Sequence, residues 1–170
     1  VGAACSAGVG ACNRPGSEVC SADHSSTVCN AVPGTPTPEV CNGIDDDCNG
    51  IVDDVPVPTE RPVLTVTEGA GASTLSWSAS QGATGYDVVN GSVAQLLAAA
   101  GNFAASGTTC LVSKLPSTTL TDAALPSPGD ATWYLVRAEN CGGSGTYDSS
   151  DPGLVTSRDP EIAAAPGVCH

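Results

Sequence analysis

Methionine is absent from the 170 residues, and phenylalanine occurs once, as Phe103. Two tryptophans and three tyrosines complete the aromatic set. A core built without such residues relies on small and β-branched side chains, which bury little area each, at roughly 25 cal/mol per Å². Such a domain gains from covalent or ionic staples. Basic residues are scarce too. Five Lys and Arg against eighteen Asp and Glu give a formal net charge of −13, which excludes nucleic acid and anionic membrane surfaces as natural partners. No apolar run approaches the roughly 20 residues of a membrane span. Catalytic hardware is also missing. There is no Gly-x-Ser-x-Gly elbow, and the two histidines, His24 in a turn and the terminal His170, offer no positioned base for a Ser-His-Asp site. The clustered aspartates form one contiguous loop rather than the two walls of a glycosidase cleft. Zinc finds no C-x₂-C pair and no common spacing around His24. The expectation is a protein that is not an enzyme.

Cysteine, by contrast, is abundant. Nine in 170 residues point to disulfides and to an oxidising compartment, hence a secreted or extracellular protein. Val1 opens a small-residue stretch without a basic, apolar leader, the pattern expected of a mature chain whose export signal has been removed. Four cysteines fall in the first 31 residues and two in an acidic motif, so the odd one is expected among Cys110, Cys141 and Cys169. Either Cys110–Cys141 forms and Cys169 is free, or Cys169 returns to the sandwich and leaves Cys110 or Cys141 spare. A spare thiol also permits a bond between chains.

Three zones follow one another. Residues 1–31 read as a small cysteine-rich β-meander with turns at Arg14-Pro15-Gly16-Ser17 and Asp23-His24-Ser25-Ser26. Residues 32–58 contain two Pro-rich connectors, stiff and extended, flanking an acidic loop at 39–54. From 61 to 170, short alternating segments recur between turn signals and predict an antiparallel β-sandwich. Its strands are expected at 63–67, 74–78, 86–89, 118–121, 132–139 and 145–149. Val93, Leu96, Leu97, Ala100 and Phe103 recur at helical spacing and predict a short helical insertion whose apolar face completes the core. Asn90-Gly91-Ser92 matches a glycosylation acceptor but reads as a turn before that helix. Gly142 to Gly145 reads as a hairpin turn. Asp148, Asp151 and Asp159 beside Arg158 suit either a second ion site or a solvated loop. The fold class is mainly β.

The acidic loop carries the chemistry. Cys41-Asn42-Gly43-Ile44-Asp45-Asp46-Asp47 is followed by Cys48-Asn49-Gly50-Ile51-Val52-Asp53-Asp54, a seven-residue repeat with one substantive difference. From Glu39 to Glu60 there are seven carboxylates and no Lys or Arg, so the stretch repels itself without a cation. Asp45, Asp47 and Asn49 occupy positions 1, 3 and 5 of an EF-hand-like loop, Gly50 the sharp turn and Ile51 the carbonyl position. Position 12 is Pro56, so Asp53 or Asp54 must close a shortened loop, with Asn42 and Asp46 as further oxygen donors. Calcium fits better than magnesium, because a flexible multi-carboxylate loop suits the larger ion. Ile44 and Ile51 are expected to point away as hydrophobic anchors. A Cys41–Cys48 disulfide is expected to pin the loop, contributing about 2–3 kcal/mol in the chain-entropy model.

Cys41 to Asp54 resembles the MopE-type metal-binding motif of large secreted bacterial proteins, and it is similar to thrombospondin type 3 calcium loops. The Cys5-to-Cys29 stretch resembles the cysteine segment that often accompanies it. The first label implies copper, although these oxygen ligands do not suit copper once the cysteines are oxidised. Leu75-Ser76-Trp77, Ala83 to Val88 and Tyr134 to Asn140 make residues 61–170 similar to fibronectin type III-like domains. Together these imply a calcium-binding structural module of a bacterial surface, matrix or fibre, partnered by copies of itself or by other surface proteins. Two alternatives are an adhesive module for a glycan or protein and a copper-binding secreted protein.

Overall fold

The structure, a computed structural model, describes residues 1–69, 71–150, 152–154 and 156–170. The chain divides into two compact units, Val1–Val55 and Pro56–His170.

In the first unit, β1 (Ala4–Ala7), β2 (Arg14–Cys20) and β3 (Thr27–Cys29) form an antiparallel meander in that order. Cys5–Cys29 joins its two outer strands. The β2–β3 turn is closed by Asp23, whose carboxylate accepts hydrogen bonds from the Ser21 hydroxyl and from the Ser25 hydroxyl and amide. Those bonds, Ser21's first, lower the Asp23 pKa to about 2. Very little of this unit is buried: only Cys12, in the 3₁₀ turn Gly10–Cys12, and Asp45. The Pro-rich stretch after β3 is held by backbone bonds from Gly34 to Cys12 and from Thr37 to Asp46.

The second unit is an antiparallel sandwich. Its strands are β4 (Leu64–Gly69), β5 (Ala72–Trp77), β6 (Gly85–Ser92), β7 (Thr109–Leu115), β8 (Thr119–Asp122), β9 (Thr132–Asn140) and β10 (Gly143–Ser144). One sheet has the order β4-β5-β8 and the other β10-β9-β6-β7. Side chains alternate along a strand, so Leu75 and Trp77 of β5 meet Tyr86, Val88, Val136 and Ala138 across the sandwich. Trp77 and Tyr86 contact edge to face, with ring centroids 5.6 Å apart. This is the fibronectin type III-like sandwich that the resemblance implied.

The alternate residues of β6 and β9 face a second layer. Val89 packs with Tyr147, Ile162 and Cys169, and Phe103, Trp133 and Leu135 flank that cluster. Ile162 lies on a helix absent from the sequence reading, Asp159–Ala163. Cys110–Cys169 ties the C-terminal segment to β7. A sheet covered on both faces explains why β6 is buried from Gly85 through Val89. Asp87, fully buried on that outer face, is held by the Ser113 hydroxyl, the Lys114 amide and two Arg137 nitrogens, the nearer at 2.8 Å. Glu139 is raised above the usual carboxylate range, first by burial and then by the Asp87 charge.

Several expectations are corrected. The helix α1 spans only Val93–Ala98, capped by the Ser92 hydroxyl, and buries no residue; Leu97 is 74% exposed. Ala100 and Gly101 take positive φ and end the helical path there, leaving Phe103 to stack edge-on against Trp133 from a 3₁₀ turn. Asn90-Gly91-Ser92 is strand rather than turn. Gly91 is required there because a Cβ would lie 2.5 Å from the Trp133 ring. β7 was not anticipated. No strand forms at 145–149, because the Tyr147 amide donates to Asp159 and the Asp148 amide to Thr146. Asp159 therefore replaces a ladder partner.

The disulfides differ too. Eight cysteines are disulfide-bonded. Cys48 pairs with Cys12, not with Cys41, and closes a sequence separation of 36, worth roughly 4 kcal/mol in the chain-entropy model because the loop is long. Cys169 does return to the sandwich, but neither Cys110 nor Cys141 is spare. The odd cysteine is Cys20, at the exposed end of β2.

Two outcomes follow. Arg137→Ala leaves the Asp87 carboxylate buried without its cation, at a cost of about 3–5 kcal/mol, readable by chemical denaturation; a loss under about 1 kcal/mol would contradict the described pairing. Maleimide labelling without reductant modifies one thiol per chain, mapped to Cys20. Labelling at Cys110, Cys141 or Cys169 would refute the connectivity.

Candidate metal centre

The acidic loop has no strand or helix of its own, so its backbone amides need other acceptors. Carboxylates supply them in a reciprocal pattern. Asp45, in the first repeat, accepts hydrogen bonds from the Asn49 and Gly50 amides of the second at 3.1 and 3.0 Å. Asp53, in the second repeat, accepts from the Asn42 and Gly43 amides of the first, both at 3.0 Å. Glu39 accepts from the Asp47 and Asp53 amides through its two oxygens, at 2.7 and 3.1 Å. The repeats also share a local turn. The Asn42 side-chain oxygen accepts from the Ile44 amide, and the Asn49 oxygen from the Ile51 amide. Gly43 and Gly50 both sit at positive φ, +79° and +95°, as these sharp reversals require.

Within this frame, Glu39, Asp47 and Asp54 bring one carboxylate oxygen each to within 4.8 Å of one another. The Asn49 side-chain nitrogen Nδ2 donates to both Asp47 and Asp54, at 3.0 and 2.9 Å, so it bridges two members of the cluster. Three half-exposed or exposed carboxylates this close repel one another at neutral pH, and a cation between them removes that repulsion. The donors are hard oxygens, which suits calcium or magnesium over copper or zinc.

The sequence-predicted residues distribute as follows. Asp47 and Asp54 enter the cluster. Asn49 lies beside it as a donor. Asp45 is buried beneath the 3₁₀ turn and engaged with amides. There the Ala11 amide also bonds the Asp45 carbonyl, and a Cβ on Gly10 would overlap Asp45. Asp53 is engaged at the opposite repeat. Asn42 and Asp46 pair with each other at 2.7 Å. Ile51 is exposed, and so is Ile44, so neither is an anchor. Glu39 was missed because it lies outside the repeat. The signal available was its place as the first carboxylate of a run without cations. At the other proposed ion site, Asp148 accepts the Arg158 amide and Asp159 accepts the Tyr147 amide, Asp151 lies outside the described residues, and no second metal-capable cluster is found among the described residues.

No family model matches the chain, and no curated protein sequence matches it. Among solved structures, a Fn3-like protein from Clostridium thermocellum is similar over 54% of this chain and 83% of its own, at 21% identity and a TM-score of 0.36. The sandwich assignment above rests on strand order and register instead.

The two classes of carboxylate are separable. In metal-free protein, Asp45→Ala leaves the Gly50 amide without an acceptor and the Asn49 amide with Asp47 alone, and destabilises the first unit by about 1–3 kcal/mol. Asp47→Asn changes metal-free stability by no more than about 0.5 kcal/mol. Equal effects in denaturant titrations of the two variants would contradict this division of roles.

Proposed function

We propose that the chain is a calcium-binding structural module of an extracellular surface, matrix or fibre. Glu39, Asp47 and Asp54 would hold the ion, with remaining positions filled by water or by loop oxygens. The observation that carries the reading is the convergence of these three carboxylates in a loop whose other acids are already engaged, Asp45 and Asp53 with backbone amides and Asp46 with the Asn42 side chain. The disulfide-rich fold fits an oxidising extracellular setting, and no helix among the described residues is long and apolar enough to cross a membrane. Copper is disfavoured by an all-oxygen donor set and by the oxidised state of Cys41 and Cys48. A non-catalytic role belongs to the same reading. His170 and His24 are both exposed, and among the described residues neither imidazole has a nucleophile hydrogen-bonded to it; the Ser113 hydroxyl donates to the His170 backbone oxygen instead.

The ion's part would be to stabilise the acidic loop by binding the folded state and not the unfolded one. Adding calcium to metal-free protein is therefore expected to release or absorb heat in calorimetric titration. It should also raise the melting temperature, by the equivalent of about 2.7 kcal/mol at a hundredfold excess over Kd. An Asp47→Asn, Asp54→Asn variant loses both responses while keeping its metal-free melting temperature. Absence of heat and of any melting shift at millimolar calcium would defeat the proposal.

A further inference from the structure

The truncation of β10 has a consequence for β9. β10 pairs with β9 only at Gly143↔Asn140 and Ser144↔Glu139, and the Gly145 amide bonds the Ala138 carbonyl just beyond. The Val93 amide bonds the Ala131 carbonyl from the opposite side, continuing the β6 register. Backbone groups alternate in direction along a strand. The even-numbered residues Thr132, Tyr134 and Val136 thus turn their N–H and C=O groups away from β6, toward the edge that β10 leaves uncovered. The following chain does not take up those groups, because its amides at Tyr147 and Asp148 go to Asp159 and Thr146. Among the described residues no hydrogen bond reaches the outward backbone groups of Tyr134 and Val136.

A groove of about 460 Å³ lies along this edge, lined by Tyr134 to Val136, by Arg61 to Leu64 and by the chain after β10 at Asp148 to Ser150 and Pro152. Tyr147 also lines it, buried to 3% exposure, and its hydroxyl has no hydrogen-bond partner. Two of the chain's five basic residues, Arg61 and Arg158, flank the groove. Both guanidinium groups donate to neutral carbonyls, of Ser149 and Tyr147. The ion pair found among the described residues involves Arg137 and Asp87 instead. Asp148, also on the groove, is engaged by the Arg158 amide. Among the described residues neither Arg61 nor Arg158 forms a salt bridge, in a chain of net charge −13.

We propose that this groove is a docking site for an extended acidic peptide segment of another protein chain, added to β9 as an extra edge strand. The incoming backbone would pair with Tyr134 and Val136. Alternate side chains would enter the apolar groove beside Leu64, and carboxylates would meet Arg61 and Arg158. Main-chain bonds supply the affinity of such strand addition, and side-chain pockets its selectivity. The site is independent of calcium at the acidic loop.

The test uses the intact, oxidised chain and two fluorescein-labelled hexapeptides, one alternating valine with glutamate and the other valine with lysine. Fluorescence anisotropy should show the glutamate peptide binding at least about tenfold more tightly, with an affinity that falls as salt rises. Amide exchange at Tyr134 and Val136 should slow on binding. An Arg61→Ala, Arg158→Ala variant with an unchanged melting temperature should lose about tenfold in affinity. If that variant fails to fold, the salt titration of the natural chain decides the charge contribution. No binding, equal binding of the two peptides, protection elsewhere than β9, or self-association of the chain in place of peptide binding would each overturn the proposal.

Discussion

Fifty-five residues in which only one cysteine and one aspartate are buried cannot be held by apolar packing. What remains is the obligation of every backbone amide to find an acceptor. In the acidic loop six amides find theirs on three side chains, Asp45, Asp53 and Glu39. The geometry of the loop, the positive φ of its two glycines and the gathering of Asp47 and Asp54 all depend on those bonds. Cys12–Cys48 then joins the loop to the turn under which Asp45 is buried. Charge thus acts first as backbone structure here, and Glu39 has both duties, bracing the Asp47 and Asp53 amides while standing beside Asp47 and Asp54.

The second unit reaches stability by another route. Its inner layer holds Leu75, Trp77, Tyr86 and Val88, enough for a small sandwich but thin in large side chains. A second layer on the outer face of the larger sheet buries Val89 under Ile162 and Tyr147. That arrangement places Asp87 in the interior, where its fourfold hydrogen bonding is needed to offset desolvation. The same layer diverts the chain after β10 into a turn and helix, so the sandwich lacks a full last strand.

The sandwich was legible because its features are local. Thr132 to Val136 is a run of aromatic, aliphatic and β-branched residues, and Leu75-Ser76-Trp77 alternates as a half-buried strand does. β7 was not legible, since Lys114 at positive φ and the shifts in its pairing with β6 break the alternation. The strand expected at 145–149 failed because Asp159, twelve residues beyond Tyr147, captured an amide that local propensity had assigned to a sheet. In the acidic loop the repeat and its glycines were visible. Which carboxylates serve amides depends on the path of the folded turns, so Glu39 was overlooked and Asp45 was placed among the ligands. The disulfides were opaque for a related reason: Cys12 and Cys48 are neighbours only after the loop has closed.

The reciprocal bracing also governs how such a motif can grow or shrink. Asp45 of the first heptad holds the second, and Asp53 of the second holds the first. The smallest unit in which each Asn-Gly turn is braced is therefore a pair of heptads, fourteen residues beginning at Cys41, with Glu39 before it taking the Asp47 and Asp53 amides. A single heptad left by deletion would carry an Asn-Gly turn with no carboxylate to receive it. An array that kept this bracing would lengthen by pairs and count its turns in even numbers.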